Sequence, residues 1–322
     1  MIHKLYKQNG ADLIDISNFV GNVSRRSTRG EISEELTFKM PNNEILVIDN
    51  PILEGDIVYL KSDDVVIFKG IVVSRSMQAR EEMVITCYDF GWYLNKNENI
   101  YQFNASISDN ITRILSEYGI KIGYIETIPT FLKDTKRGTL SSIIKEMIEF
   151  GEKDQGIKYR WEMREDSFYL EPIDYNPVTY TTSQIADNED VLKYIGQPNH
   201  KTSIEGMYNA VFVAGESKNK VISLSYQEDT DSIDKYGKLQ KLEYIDKNDY
   251  PKATNIATNQ LKTLNKLQHD ISIKLLGNDS CRANRVLKLT EPITGMDGDF
   301  IIKQCTHNID NVYTMDLTLE VI

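Results

Sequence analysis

Apolar and polar positions alternate in short runs over the first hundred residues. Runs such as ELTFKM, DIVYLK and MVITCYDF place every second side chain on one face, as in a half-buried strand. DLIDIS, EILVID and VVIFKGIVVS have the same strand-like character, and polar or glycine-containing segments separate all six runs. Residues 62–64, Ser-Asp-Asp, predict a hairpin tip because these side chains hydrogen-bond to turn backbone. The spacing predicts a small barrel or sandwich.

The period changes in the stretch SISDNITRILSEYG, where apolar residues recur at helical spacing. Ser108 is predicted to cap this helix and Gly119 to end it. A second helix is predicted from a cap at Thr139 to Gly151. The alternating runs IKYRWEM and SFYLEPID then flank residues 164–166 as a hairpin. Together these elements predict a small α/β unit.

Strand-like runs return after residue 190. MYNAVFVAGE, KVISLSYQ, DISIKLLG, RVLKLTEP, GDFIIKQCTHN and YTMDLTLEVI predict strands, and YPKATNIATNQLKTLNKLQH predicts a helix. The fold class is therefore predicted as mainly β with a smaller α/β part. Three domains are expected: a first β-barrel over residues 1–105, a central α/β domain over 106–190, and a second β-barrel with a linking helix over 191–322.

The two β-rich ends share a local feature. Gly55 and Asp56 precede one strand-like run, and Gly298 and Asp299 precede another. Glycine permits a sharp entry and aspartate can bond back to the turn, so these residues are predicted as structural turns. Gly-Asp before a strand is common, which leaves chance as one explanation. The corresponding order of the later strands favours the other, an internal duplication.

Composition and charge narrow the class of protein. The chain has 322 residues and a net charge of −11, with no cluster of Lys and Arg that would hold nucleic-acid phosphates. No run approaches the ~20 apolar residues of a membrane span, and the N-terminus lacks the apolar core of a signal peptide. The three cysteines form no CxxC pair. These features predict a protein of a reducing cytoplasm without disulfides or a zinc site.

Acidic clusters are the first candidates for chemistry. Asp63 with Asp64, or Asp297 with Asp299, could act as paired catalytic carboxylates, but turn residues on a solvated edge are the simpler interpretation. DTDSID places Asp229 at the first position of a calcium loop, yet its fifth and sixth positions are Ile and Asp, where that loop needs an oxygen ligand and glycine. A surface loop is predicted there instead.

Cys305 and His307 form the best candidate for a nucleophile and base. Positions i and i+2 of a strand share a face, so the thiol and imidazole are expected to be neighbours. A buried cysteine beside a strand-end histidine is the alternative interpretation, and the one we favour. The four histidines show neither HxH nor HExxH spacing, and no P-loop or GxGxxG is present. No catalytic, cofactor or metal site is predicted, and the protein is not expected to be an enzyme.

The order of these segments resembles the XkdQ/YqbQ-type hub proteins of contractile phage tails and phage-tail-like bacteriocins. The similar segments are GDIVYLKSDDVVIFKGIVVS with CYDFGWYL, TSIEGMYNAVFVAGE, DKYGKLQKLEYID, and LLGNDSCRANRVLKLTEPITGMDGDFIIKQCTHNIDNVYTMDLTLE. They span nearly the whole chain. Asn284 replaces a glycine expected in the turn before VLKL, and Asn tolerates the left-handed backbone better than most residues.

The resemblance implies a mechanical role. Such hubs are homotrimers in which each chain contributes two tube-like barrels, so that a ring of six barrels adapts a hexameric tail tube to a trimeric spike. The implied partners are the tube protein above, the spike below, baseplate wedges and the tape measure, without specific nucleic-acid or membrane binding. The implied location is the baseplate of a virion or tail particle assembled in the host cytoplasm.

Three alternatives remain at this level. The same architecture could serve a VgrG-like hub of an injection or secretion system; the plain strand before Ile322 favours a spike made by a separate protein. A tail-associated cell-wall hydrolase would need convergent acids or a Cys-His pair. A carbohydrate-binding module would expose Trp92 or Trp161 on an open face, whereas we expect both to be mostly packed.

Overall fold

The computed structural model describes residues 2–41, 51–78, 82–174, 177–181, 196–217, 220–291 and 294–322. The predicted strand EILVID lies outside the described residues. The chain forms two compact units. The first comprises Met1–Pro198 and Ser272–Ile322, and the second comprises Asn199–Ile271.

The first unit starts with a run of strands. They are β1 (His3–Asn9), β2 (Asp12–Asp15), β3 (Gly21–Thr28), β4 (Glu35–Pro41), β5 (Ile57–Ser62), β6 (Val65–Gln78) and β7 (Glu82–Asp89), with a short 3-10 helix at Ser17–Phe19. The predicted tip at residues 62–64 joins β5 to β6, and both Asp63 and Asp64 have positive φ angles of 43° and 70°. The hairpin prediction is confirmed.

The middle of the first unit contains its long helices. The elements are α1 (Trp92–Lys96), β8 (Glu98–Ser106), α2 (Ile107–Glu117), β9 (Lys121–Ile125), β10 (Phe131–Thr139), α3 (Leu140–Gln155), β11 (Tyr159–Arg164), β12 (Ser167–Pro172) and β13 (Val178–Thr181). β8 pairs with β10, and β11, β12 and β9 form a three-stranded sheet. Apolar faces of α2, α3 and these strands share one core, which contains Ile111, Ile114, Ile143, Ile148 and Phe168.

Two predicted helix ends were wrong. The cap of α2 is Ser106, whose Oγ accepts a hydrogen bond from Asp109 N at 3.2 Å, and Ser108 lies inside the first turn. α3 is capped by Thr139 as predicted, but it continues through Gly151 and ends at Gly156 (φ +71°). A Cβ at Gly151 would come within 2.7 Å of Ile128 Cγ2. This glycine therefore permits close packing rather than ending the helix.

The second unit is a small sheet with a helix on one face. After β14 (Gly196–Ser203) come β15 (Ala210–Ser217), β16 (Lys220–Glu228), α4 (Thr230–Tyr236), β17 (Gln240–Tyr244), a 3-10 helix at Lys247–Lys252 and α5 (Ala253–Leu264). β15 lies between β16 and β17, and α5 packs on Val211 and Val213. The segment DTDSID, predicted as a surface loop, instead forms the start of α4, because Asp229 caps it by accepting from Ser232 N at 2.9 Å.

The last strands return to the first unit. They are β18 (Gln268–Leu276), which crosses the boundary between the units as β14 does, β19 (Val286–Glu291), β20 (Met296–Ile309) and β21 (Tyr313–Val321). Along the large sheet the strands follow the order β14-β18-β21-β20-β3-β4-β7-β6-β5-β1-β2, with β19 beside β20. The two β-rich ends of the chain are thus joined where β3 pairs with β20.

This sheet contains one strand order twice. The first set runs β3-β4-β7-β6-β5 and the second runs β14-β18-β21-β20-β19. In both sets, the first two strands in chain order take the first and second positions of the row. The next three strands take the fifth, fourth and third positions. The fourth strand of the row is long in each case: β6 and β20 both have 14 residues, and their hairpin partners β5 and β19 both have six.

The repeat extends to backbone hydrogen bonds. Gly55 N donates to Val72 O at 2.9 Å, and Asn284 N donates to Ile302 O at 2.9 Å. Gly55 and Asn284 each lie two residues before the third strand of their set, with φ angles of +94° and +66°. Immediately after Val72 and after Ile302, the register with the neighbouring strand shifts by one residue, as at a β-bulge. This alignment makes Val72 equivalent to Ile302.

Side chains also correspond between the two sets. β3 is GNVSRRST and β14 is GQPNHKTS; the second strands contain ELTFKMP and DISIKLL. Lys39 forms an ion pair with Glu82 at 2.7 Å, and Lys274, at the matching place, forms one with Asp316 at 3.6 Å. The two lysines therefore occupy the same strand position, and the first and second strands of the sets have similar patterns of residue types, as expected from an internal duplication.

Candidate assembly interface

The junction between β3 and β20 is the place where the two repeated sets meet. Six directly opposed residue pairs connect the strands, from Val23 with Ile309 to Thr28 with Gln304. The pairing continues one residue further, where Arg29 N donates to Lys303 O at 2.6 Å. The first strand of one set is therefore bonded along the second half of the long strand of the other set.

Arg25 and His307 lie at the centre of this junction. They are opposed residues, and Arg25 Nη2 is 3.0 Å from His307 Nε2. His307 Nδ1 is 2.8 Å from the Tyr313 hydroxyl, and Nε2 is 2.8 Å from the Cys281 carbonyl oxygen. Both Arg25 and His307 are buried. Burial, and the adjacent Arg25 charge, hold the pKa of His307 well below its usual value, so the imidazole is neutral at physiological pH.

Cys305 and His307 are neighbours, as their spacing predicts, with Sγ 3.2 Å from Nε2. The thiol is buried, and burial raises the pKa of Cys305 well above its usual value. A catalytic cysteine needs a lowered pKa and access to substrate. The pair therefore belongs to the packed junction, which agrees with the interpretation favoured from the sequence.

A buried group of charges lies beside this junction. Arg25 Nε is 3.4 Å from Glu34 Oε1, and Arg282 binds the other oxygen of Glu34 and donates to Met163 O at 2.8 Å. Arg285 pairs with Glu162 at 2.7 Å. The group connects the first strands, the central α/β part and the C-terminal strands of the first unit. Because a buried charge without its partner is costly, these pairs constrain how the three parts fit together.

The second set contains a contact equivalent to the one between Arg25 and Glu34. In the second unit, His200 Nε2 is 2.9 Å from His269 Nδ1, and the rings stack at 5.2 Å. His200 occupies in β14 the place of Arg25 in β3, and His269 stands before DISIKLL as Glu34 stands before ELTFKMP. The repeated strands therefore also repeat the contact between their first and second members.

The two predicted Gly-Asp turns differ: one precedes a strand and the other lies inside a strand. Gly55 and Asp56 form the turn before β5, where Asp56 Oδ2 accepts from Leu53 N at 2.7 Å. Gly298 and Asp299 lie within β20, opposite residues 289 and 288. The residue equivalent to Gly55 by strand order and hydrogen bonding is Asn284, which has the left-handed conformation expected for it.

The candidate acidic residues form hydrogen bonds within the fold. Asp63 Oδ1 accepts a hydrogen bond from Ile2 N at 2.8 Å, and Asp297 Oδ1 accepts one from Thr290 Oγ1 at 2.9 Å. Within the described ranges, no group of three or more His, Cys, Asp or Glu side chains could hold a metal ion. The same residues include no helix that is long and apolar enough to cross a membrane. Trp92 and Trp161 are both partly buried, and Trp161 packs on the central core.

Sequence reasoning missed the residues that form the junction. Arg25, Glu34 and Arg282 lie apart in the sequence, and nothing local shows that they meet. A signal was present in the octets GNVSRRST and GQPNHKTS, which align without a gap. Comparing whole strands, rather than Gly-Asp turns, would have located the repeat.

Comparison with known proteins assigns the family. Residues 23–320 match the YQBQ-like family. The chain belongs to the YQBQ-like family. This match confirms the resemblance inferred from the sequence. A comparison with curated proteins found no match.

Solved structures share the fold at low sequence identity. The 43 kDa tail protein of prophage MuSo2 from Shewanella oneidensis has a TM-score of 0.69 at 9% identity, covering 98% of each chain. The tail protein from Neisseria meningitidis MC58 has a TM-score of 0.68 at 12% identity, covering 99% of this chain and 96% of that one. The c3393 protein of the Escherichia coli type VI secretion system, described as structurally similar to T4 tail proteins gp27 and gp5, has a TM-score of 0.55 at 10% identity, covering 99% and 77%.

Proposed function

We propose that this YQBQ-like protein is the structural hub of a contractile tail baseplate. Three copies form a ring to which each contributes two tube-like barrels, built from residues 1–105 and 191–322 on either side of a central domain at 106–190. The ring adapts a hexameric tail tube to a trimeric spike and leaves a lumen for DNA or the tape measure.

The strand order that occurs twice carries this proposal. A tube with sixfold symmetry presents six equivalent edges, and a trimer can match them only if each chain supplies two similar surfaces. The fold shared with a prophage tail protein and with a second tail protein supports the same role. An acidic chain with net charge −11 suits a lumen through which DNA passes without being held.

Mass measurement and electron microscopy of the purified protein test the proposal. We expect a particle of three chains with six similar lobes around a central opening. A monomer or dimer at micromolar concentration, or a ring with another number of lobes, would contradict it. Assembly in the host cytoplasm and incorporation into the baseplate would be checked by locating the protein in purified tail particles.

A VgrG-like hub of a secretion system is the second candidate, favoured by the shared fold of the type VI component. Both candidates predict the same ring, so the partner decides between them. We expect the ring to bind a contractile-tail tube protein in a pull-down experiment and not a type VI tube protein. The opposite preference would favour the secretion-system hub.

A cell-wall hydrolase is the enzyme-class alternative from the sequence. If it used the Cys-His pair, Cys305 would have to reach a substrate, and this thiol is buried against His307 and the Cys281 carbonyl. We expect the purified protein not to clear peptidoglycan. Clearing that Cys305→Ala abolishes would establish the hydrolase instead.

A further inference from the structure

The chain contains one complete junction between its repeated sets and the two halves of a second. In the complete junction, β3 pairs with the second half of β20. The equivalent of β3 is β14, and the equivalent of the second half of β20 is Ser74–Gln78 of β6. These two equivalents do not pair with each other within the chain.

Both halves have an unpaired edge in the part of the chain that the structure describes. β6 pairs with β7 along Ser74–Gln78, whereas its partner on the other side, β5, reaches only Ile71. β14 is the terminal strand of its row, with β18 as its only neighbour there. Unpaired strand edges are templates for another strand, because their N–H and C=O groups have no ladder partner.

The exposure of Met77 shows what the missing strand would cover. Met77 and His307 occupy equivalent places, each opposite a buried methionine, Met83 or Met315. His307 is 0% exposed and contacts Arg25 of β3 as well as Cys281 and Tyr313, whereas Met77 is 59% exposed. An apolar side chain that points to the core side of a sheet and remains exposed at its edge lacks a neighbour.

We propose that β14 of one copy pairs antiparallel with Ser74–Gln78 of the next copy, repeating the β3–β20 junction between chains. The inference rests on the proposed trimeric hub and specifies its interface. Transferring the register of the complete junction places Lys201 opposite Ser76 and His200 opposite Met77. His200 would then cover Met77 as Arg25 covers His307.

This pairing is head-to-tail, so its geometry determines the assembly. A head-to-tail contact closes into a ring if the rotation between copies permits and otherwise forms a filament. Internal and intermolecular junctions that are equivalent would alternate around the ring. Three chains would give six equivalent junctions, of which half are already present within single chains.

A disulfide between Ser76→Cys and Lys201→Cys tests the register. Opposed residues of antiparallel strands have Cα atoms about 4.5–5.5 Å apart, which suits a disulfide. The native thiols Cys87, Cys281 and Cys305 are all buried and should not compete. We expect mild oxidation of the double variant to yield covalent trimers on a denaturing gel, and a mixture of the two single variants to yield covalent dimers.

The matched control is Val65→Cys with Lys201→Cys. Val65 is 65% exposed on the same strand, but it lies in the half that pairs with β5. We expect at least tenfold less cross-linking from this pair. Trimers by mass without a link through positions 76 and 201 would overturn the proposed pairing and leave the hub function standing. An unassembled monomer would overturn both, and a covalent ladder beyond the trimer would overturn ring closure.

Charge substitution gives a second measurement that needs no new bond. Met77→Asp places a carboxylate at the proposed junction, and Val65→Asp places one at a similarly exposed site outside it. We expect Met77→Asp to raise the trimer dissociation constant at least tenfold with the melting temperature of the monomer unchanged, and Val65→Asp to change it less than twofold. Equal effects of the two variants would count against the pairing.

Discussion

Arg25 and His307 are 282 positions apart in the chain, yet they lie opposite each other with Arg25 Nη2 3.0 Å from His307 Nε2. Each comes from a different copy of the repeated strand order. Their contact is buried and is extended by Tyr313, Cys281 and Glu34. The N-terminal and C-terminal strands are therefore parts of one folded unit.

Removal of Arg25 should destabilise the first unit strongly. Arg25→Met leaves the buried Glu34 with one cation fewer, and breaking a buried pair costs about 3–5 kcal/mol of the free energy of unfolding. Arg26→Met is the control, because Arg26 is on the exposed face of the same strand and pairs with Glu35 at 3.3 Å; a loss under about 1 kcal/mol is expected. Urea denaturation measures both. Similar losses for the two variants would show that the buried pair is not needed.

Asp89 should make stability depend on pH. Burial, together with the nearby Glu34 carboxylate, raises the pKa of Asp89 to about 8. In the unfolded chain an aspartate titrates at about 4. The folded state binds this proton more tightly, so the stabilising contribution is complete below about pH 4 and is lost as pH rises through 8.

Urea midpoints between pH 5 and 9 measure this contribution. We expect Asp89→Asn to flatten the decline towards alkaline pH. The variant should also have lower stability throughout, because Asp89 accepts from both Glu34 N and Gly91 N at 2.9 Å and an amide has only one acceptor oxygen. Asp64→Asn, at the exposed hairpin tip, should keep the wild-type slope. An unchanged slope in Asp89→Asn would contradict the assignment.

Gly55 and Asn284 should respond to alanine in the same way. Both have left-handed φ angles at equivalent turns. This conformation costs most residues with a Cβ about 1–2 kcal/mol, whereas Asn tolerates it because its short polar side chain can hydrogen-bond locally. We expect Gly55→Ala and Asn284→Ala each to lower the free energy of unfolding by about 1 kcal/mol or more, with Asn284→Gly tolerated. If Asn284→Gly were as damaging as Asn284→Ala, the backbone conformation would not be the reason for Asn at this place.

The three thiols should be inert in the folded protein. Cys87, Cys281 and Cys305 are buried, and burial raises the pKa of all three. Because the thiolate is the reactive form, a thiol reagent such as DTNB should label less than one cysteine per folded chain within minutes and all three in denaturant. Rapid labelling of one thiol in the native protein would point to an accessible, activated cysteine and would reopen the enzyme alternative.

Much of the local structure was predictable from the sequence. The strand-like runs that lie within the described residues formed strands, Thr139 capped its helix, and the hairpin predicted around residues 164–166 joins β11 to β12. Errors occurred where one residue type can serve more than one structural purpose. Gly151 is a residue type that often ends a helix, but here the absence of a side chain leaves room for Ile128. Asp229 suggested a failed ion loop, but its carboxylate caps a short helix.

The candidate interface was less accessible to sequence reasoning. Similarity between the ends was expected, but it was assigned to Gly55 and Gly298, whereas strand order matches Gly55 with Asn284. A dipeptide before a strand carries little information about which strand it precedes. The long repeat is distinguished by its strand order and its shifted register, which depend on pairings between distant residues.

The sequence by itself determined the periodic pattern, the cap at Thr139, the hairpin tip at residues 62–64 and the family to which the chain belongs, because these depend on neighbouring residues or on their order. The tertiary structure alone decided that Arg25 meets His307 and that Met77 remains exposed while its equivalent is buried. Burial and pairing are properties of residues brought together from opposite ends of the chain, and no local stretch of sequence specifies them.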